Sequence, residues 1–194
     1  MSHHFELEDV PGYLAHFPVL AGKAQIAQGE YSVVFEGTKP DTVLKLTCDS
    51  ISASFAKKHG SPTFCPVLEC HGSMHSKDHG DVMLIELPRL RPITWDNDRK
   101  MFMERDMVMA AAKYLIAESE TFNGIVDCQQ CHASALEDLA DSGIVSHSIR
   151  QGLVTLSKWL RTTMHDVMID ICNPDNYMTD GRSLIITDPI NPVF

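Results

Sequence analysis

The chain has 194 residues, 44% of them hydrophobic, which suits one compact domain with an ordinary core. Its formal net charge of −10 argues against an extended basic surface, and so against a nucleic-acid partner. No apolar run approaches the ~18 residues of a membrane span, and the opening Met-Ser-His-His-Phe-Glu-Leu-Glu-Asp has neither the basic nor the apolar part of a secretory signal.

Residues 1–20 read as a lead-in punctuated by Pro11 and Pro18. From Ala24 to about Thr47 the pattern is strand-like, with Val33, Val34, Phe35, Val43, Leu44 and Leu46 in short runs. Turns are expected at Gln28-Gly29-Glu30 and at Gly37–Asp41. Ile51–His59 suits one short helix, stopped by Gly60. Two strands are predicted at Val67–His71 and Val82–Leu87, with the polar Gly72–Asp81 stretch as their hairpin loop. Pro88 and Pro92 break the pattern and place a lobe boundary there, at about 1–87 and 88–194 of a single domain.

Beyond that boundary the chain turns helical. Asn97–Ala117 carries Met101, Phe102, Met107, Met109, Tyr114 and Leu115 among charged residues, and Ala133–Leu139 is a shorter helix candidate. Ser146–Thr163 puts Ile149, Leu153, Leu156, Trp159 and Leu160 on one face, with Ser146 as its N-cap. A loop at Asp170 and a strand at Leu184–Ile186 follow. The expected class is α+β, with a β-rich first half and a mainly helical second half.

Chemistry concentrates near the end. Asp170-Ile-Cys-Asn-Pro-Asp-Asn176 is followed by a turn, an apolar strand and Asp188 in Leu-Ile-Ile-Thr-Asp-Pro. One carboxylate can accept the proton of an attacking hydroxyl, while an Asn and a second carboxylate supply hard oxygen ligands for Mg²⁺ on a triphosphate. Upstream, Gly29 and Ser32 in Gln-Gly-Glu-Tyr-Ser-Val-Val34 are small enough for backbone amides to approach a phosphate. Tyr31 at the tip is placed to cover a triphosphate and Val34 to pack under an adenine. The same residues equally serve an ordinary β-hairpin. Lys45, in Val43-Leu-Lys-Leu-Thr47, points opposite to Leu44 and Leu46 and reads either as a phosphate-gripping lysine or as a solvated outer-face one.

In combination these residues resemble the small serine/threonine protein kinases made early in infection by short-tailed bacteriophages, within the kinase-like superfamily. The resemblance is clearest over Gly29–Leu46 and Asp170–Pro189, and Thr187-Asp188-Pro189 in place of Asp-Phe-Gly is its most specific part. It implies a compact, two-lobed protein-kinase-like fold with a β-rich N-lobe and a reduced helical C-lobe. It implies ATP and Mg²⁺ as cofactors, with Gly29, Tyr31, Ser32, Val34 and Lys45 at the nucleotide and Asp170 as catalytic base. Asp188 would be the principal metal ligand, joined by Asn176 or by Asp175, because five residues rather than the usual four separate Asp170 from Asn176. Two further departures stand out: Cys172 occupies the position where a lysine often follows the base, and residues 48–60 hold no Glu to grip Lys45, only Asp49. With six residues after Asp188, no activation segment is expected. The implied partners are host bacterial proteins, the transcription machinery among them, in the host cytoplasm, with no nucleic acid and no membrane.

Two other functions fit parts of the pattern. A kinase-like shell with weak or absent catalysis could inhibit a host enzyme by contact, and the missing Glu and Cys172 favour it. A small-molecule phosphotransferase of the aminoglycoside or choline type shares the loop logic, and an acidic pocket for a cationic substrate suits the net charge. Six cysteines at irregular spacing read as reduced thiols. Cys128-Gln-Gln-Cys131-His132 spells a haem attachment site but is expected to be an unoccupied thiol pair at a helix start. His71, His75 and His79 recur every four residues, yet Gly72, Ser73 and Gly80 argue for a loop rather than a metal-binding helix. The methionines at 101–109 suit core packing or an adaptable contact face.

Overall fold

The computed structural model describes residues 10–123 and 128–192. The first nine residues of the lead-in and the thiol of Cys128 lie outside them. The expected α+β class is present, and the chain divides into two compact units: residues 1–58 with 66–89, and residues 59–65 with 90–194.

The first unit is built on a five-stranded antiparallel sheet in the order β1-β2-β3-β5-β4. Its strands are β1 (Gln25–Gly29), β2 (Ser32–Glu36), β3 (Thr42–Thr47), β4 (Glu69–Ser76) and β5 (Gly80–Pro88). Alternation sends Val33, Phe35, Leu44, Leu46, Val82 and Leu84 to one face, where they pack with Tyr13, Phe17 and Leu20 from the segment ahead of β1. That segment holds the short helix α1 (Val10–Leu14) and a 3₁₀ turn at Pro18–Leu20. After β3 comes α2 (Ser50–His59), capped by Asp49, whose Oδ1 accepts the Ser52 N–H at 2.9 Å.

The hairpin between β4 and β5 differs from the expected long loop. Pairing runs from Glu69↔Glu86 out to Ser76↔Gly80, so only residues 77–79 form the turn. Ser76 Oγ accepts the N–H groups of Asp78 and His79, and Gly80 takes φ +67°, which closes a tight turn. The glycine and serine content that suggested a loop instead accommodates a bulge: the register shifts between Cys70 and Gly72, and Gly72 has φ +125°. His71 and His75 therefore lie on a strand and His79 in its turn, not on a helix.

The second unit is mainly helical, with α3 (Trp95–Asn123), α4 (Cys128–Asp141) and α5 (His147–Leu160) packed α3 on α4 and α4 on α5. Both α3 and α4 outrun their expected spans. Helix α3 breaks at Asp98 (φ −131°, ψ 34°), whose buried carboxylate accepts a bidentate pair from Arg91 at 2.6 and 2.8 Å and the Thr94 N–H at 3.1 Å. Helix α5 starts as expected, with Ser146 Oγ accepting the Ile149 N–H. Its face buries Ile149, Leu153, Leu156 and Leu160, while Trp159 is only partly covered. No described helix is long and apolar enough to cross a membrane.

Residues 59–65 belong to this unit through close packing on α5. Thr63 Oγ1 donates to the Ser148 carbonyl at 2.5 Å, and a Cβ built on Gly152 would stand 2.3 Å from Thr63 Cγ2. The same segment carries Phe64 beside Ile186, with the Ile186 N–H donating to Thr63 O at 2.8 Å.

Candidate active site

In the second unit the residues around Asp170 are framed by short strands. β7 (Val167–Ile169) pairs antiparallel with β10 (Ile190–Pro192), and the Asp170 N–H donates to Pro189 O at 2.9 Å. β8 (Tyr177–Thr179) pairs with β9 (Leu184–Ile186) around a turn where Asp180 Oδ1 accepts the N–H groups of Arg182 and Ser183. β8 also pairs with β6 (Arg91–Pro92). Thr187 N–H and Oγ1 both donate to Asn176 O, at 2.8 and 3.2 Å, so Asp188 follows a residue tied directly to Asn176. Tyr177 Oη donates to Ile171 O at 2.7 Å and holds the loop from beneath.

Within this frame Asn176 is buried and Asp170 half-buried. Asn176 Nδ2 donates to Asp170 Oδ2 at 2.7 Å and to Asp170 O at 2.9 Å, which turns its own carbonyl oxygen away from Asp170. Burial pushes the Asp170 carboxyl up from the ordinary aspartate range. Hydrogen bonds from Asn176 and Asn173 pull the other way, and the nearby Asp188 charge adds to the rise. The loop thus brings Asp170, Asn176 and Asp188 together. Asp175, by contrast, is exposed in the 3₁₀ turn Pro174–Asn176, its N–H donating to Asn173 Oδ1 at 3.1 Å.

A half-buried carboxylate and an amide oxygen of fixed orientation make an oxygen-only donor set. That fits a hard divalent cation such as Mg²⁺, which takes few protein ligands and fills its octahedron with phosphate and water. Asp188 and Asn176 are the residues that would hold it.

The first unit carries the other sequence candidates. Gly29 pairs with Ser32 across a two-residue turn, Glu30-Tyr31, and Tyr31 O accepts the Cys48 N–H at 3.0 Å and Thr47 Oγ1 at 3.1 Å. A Cβ on Gly29 would meet Ser32 Oγ at an ordinary 3.5 Å, so the chain's own packing does not demand glycine there. Lys45 pairs with Val34 on one side and Ile85 on the other, on the sheet face opposite the core. Tyr31, in contrast, is packed against the core side with Val33 and Phe35. Lys45, Val34 and Ser32 are therefore grouped on one face, and Tyr31 is not among them.

Glu86 went unnoticed in the sequence. It is buried in β5, where Oε1 accepts Thr38 N–H at 2.9 Å, Thr38 Oγ1 at 2.6 Å and a short bond from Thr42 Oγ1, while Oε2 faces His71 Nε2 at 3.2 Å. Burial alone would raise its pKa, but these donors outweigh it and hold the carboxyl at about 2. The signal was a lone acid inside the apolar run Val82-Met-Leu-Ile-Glu-Leu87. Its role is to pin the 37–42 turn. A cavity of about 530 Å³ on the second unit, lined by Thr63, His147, Arg150 and Gln151 among others, includes no residue of the 170–188 segment.

No protein-family model matches this sequence, and no curated protein matches it either. Among solved structures it is similar to a thermostable mutant of the aminoglycoside phosphotransferase APH(4)-Ia in a ternary complex with AMP-PNP and hygromycin B. That match has 15% identity and a TM-score of 0.37 and covers 93% of this chain and 70% of the other. Another crystal structure of aminoglycoside phosphotransferase APH(4)-Ia matches at 13% identity and a TM-score of 0.34, covering 94% and 71%. A second mutant, bound to ADP and hygromycin B, matches at 14% identity and 0.31, covering 92% and 69%.

Proposed function

We propose that the chain is a kinase-like phosphotransferase that moves the γ-phosphoryl group of ATP to a hydroxyl acceptor, with Asp170 as the base. The observation that carries this reading is the Asp170–Asn176 pair with Asp188 beside it. A carboxylate whose pKa is raised by burial is a better proton acceptor than a solvated one, and Asn176 keeps it aimed. The acceptor oxygen bonds to phosphorus, its proton passes to Asp170 Oδ, and the bond from phosphorus to the leaving oxygen breaks toward ADP. Mg²⁺ held by Asp188 and Asn176 would neutralise charge on the phosphates. On the first unit, Ser32, Val34 and Lys45 share the face proposed for nucleotide, with Gly29 leaving clearance for a phosphate.

The finer form of the proposal is a serine/threonine protein kinase of a bacteriophage, acting on host proteins, the transcription machinery included, in the host cytoplasm. It rests on the sequence resemblance, above all on Thr187-Asp188-Pro189. Labelled ATP offered to the protein, alone and with a bacterial lysate, tests it. Wild type should transfer label, while Asp170→Ala and Asp188→Ala should not; equal labelling in all three would end the proposal.

A second reading has one observation in its favour. Helix α2 has no carboxylate from Ser50 to His59, and the neighbouring Asp49 serves as its cap. A binding protein that inhibits a host enzyme without chemistry would need no such carboxylate. In that case Asp188→Ala would leave the inhibition intact.

A further inference from the structure

Strands β4 and β5 pair Glu69 directly with Glu86. Like charges set opposite each other on an antiparallel ladder repel, and a positive group between them relieves the repulsion. The β4 bulge brings a third residue to this pair. Cys70 pairs with Ile85 and Gly72 with Leu84, so His71 is the extra residue of the bulged strand. His71 Nε2 lies 3.2 Å from Glu86 Oε2, and His71 Nδ1 lies 4.0 Å from Glu69 Oε1. One ligand atom from each of the three residues can be chosen so that all lie within 4.8 Å of one another.

These are the spacings of a ligand shell. Donor atoms held about 2.0–2.2 Å from a tetrahedral ion stand roughly 3.4 Å apart. His71 and Glu86 are already near that separation, and Glu69, with its side chain 64% exposed, is free to swing in on the third side. Glu86 has the fixed orientation that a ligand needs. Its Oε1 accepts Thr38 N–H, Thr38 Oγ1 and Thr42 Oγ1, which leaves Oε2 turned toward His71. Outer donors of this kind orient the carboxylates of metal sites. The other two histidines of the hairpin are engaged elsewhere, His75 with Asp81 and His79 with Tyr13, each at 2.9 Å. Lys45 pairs with Ile85, the neighbour of Glu86, so alternation puts this group on the sheet face opposite Lys45.

We propose that Glu69, His71 and Glu86 form a binding site for a divalent transition ion of the Zn²⁺ class, a clamp that ties β4 to β5 and, through Glu86, to the 37–42 turn. The site is separate from the phosphotransferase reading and does not depend on it. One imidazole nitrogen and two carboxylate oxygens suit Zn²⁺ better than Mg²⁺, which takes oxygen donors, and water fills the fourth position.

The test uses the full chain as wild type, Glu69→Gln, His71→Gln and, as a control, His75→Gln. Zn²⁺ affinity is measured by equilibrium dialysis, the Tm is compared in Zn²⁺ and in EDTA, and Co²⁺ is loaded as a spectroscopic probe. Wild type and His75→Gln should bind Zn²⁺ and melt higher with it. Glu69→Gln and His71→Gln should each bind about 10-fold or more weakly and lose the rise in Tm. Bound Co²⁺ should show ligand-field bands without a thiolate charge-transfer band. Equal Zn²⁺ affinity in wild type and both ligand variants would place the ion elsewhere, as would a thiolate band, and either result overturns the proposal. Displacement of Zn²⁺ by an equal concentration of Mg²⁺ would show only a pair of acids and would overturn it too. Glu69 is exposed, so Glu69→Gln decides the matter even where His71→Gln fails to fold.

Discussion

Asn176 holds Asp170 twice, through one amide nitrogen: 2.7 Å to the carboxylate Oδ2 and 2.9 Å to the backbone oxygen. The bond to Oδ2 favours the charged form of Asp170, while burial and the Asp188 charge disfavour it. Asn176→Ala should therefore raise the Asp170 pKa further. In a transfer assay the acidic limb of the rate profile should move to higher pH, because the base must be deprotonated to act. Loss of a hydrogen bond to a half-buried carboxylate should also cost about 1–3 kcal/mol of stability by urea titration. An unmoved acidic limb would mean that Asp170 is not the titrating base.

The same raised pKa has a consequence for stability. A carboxyl whose pKa is higher folded than unfolded binds more protons in the native state, so its contribution is fully present below the unfolded pKa. It is lost as pH rises through the folded pKa. Above the ordinary aspartate range Asp170 is thus a net burden on stability. Asp170→Asn should melt higher than wild type at pH 7, and the difference should shrink at pH values below the ordinary aspartate range. A variant that melts lower at pH 7 and equal in acid would contradict this.

Glu86 is expected to behave in the opposite way. Its folded pKa lies at about 2 against an ordinary 4.5, held there by Thr38, Thr42 and His71 in spite of burial. Its stabilisation is present above about pH 4.5 and lost as pH falls toward 2. Urea midpoints measured between pH 3 and 6 should fall on the acid side in wild type and flatten in Glu86→Gln. Glu86→Ala, which strands the Thr38 and Thr42 donors, should cost about 2–4 kcal/mol at pH 7.

Glu86 and Asp98 also mark where sequence reading stops. Period-two and period-3.6 patterns fixed strands β2, β3 and β5 and helix α5, because burial of one face leaves a repeating signature in residues such as Leu44/Leu46 and Ile149/Leu153/Leu156. The loop around Asp170 was legible because its residue types are few and their spacing is constrained by chemistry. The β4–β5 hairpin was expected, but how far its pairing extends was not legible. Its strand passes through Gly72, Ser73 and His75, residues of poor β propensity that are held in place by a bulge and by pairing to β5. Nor did α3 announce its true start, since the Arg91–Asp98 pair that sets its break joins residues seven apart through tertiary contact.

The contact between Thr63 and Gly152 offers the most direct test of the second unit's packing. A methyl group at position 152 would lie 2.3 Å from Thr63 Cγ2 and 2.8 Å from Thr63 Cβ, too close for either atom to remain in place. Alanine is the better helix former by about 1 kcal/mol, so on propensity alone Gly152→Ala would stabilise α5. Steric overlap should reverse that sign, because Thr63 is anchored through Oγ1 to Ser148 O and through its carbonyl to the Ile186 N–H. The expected net loss is about 1–3 kcal/mol. Thr63→Ser removes Cγ2 and keeps the hydroxyl, so in the Gly152→Ala background it should recover part of the loss. Denaturant midpoints of the two single variants and the double variant measure that coupling directly. Strict additivity would show that the two residues do not meet. Because the Ile186 N–H reports to Thr63, the same loss should speed hydrogen exchange at Ile186, the strand residue two before Asp188.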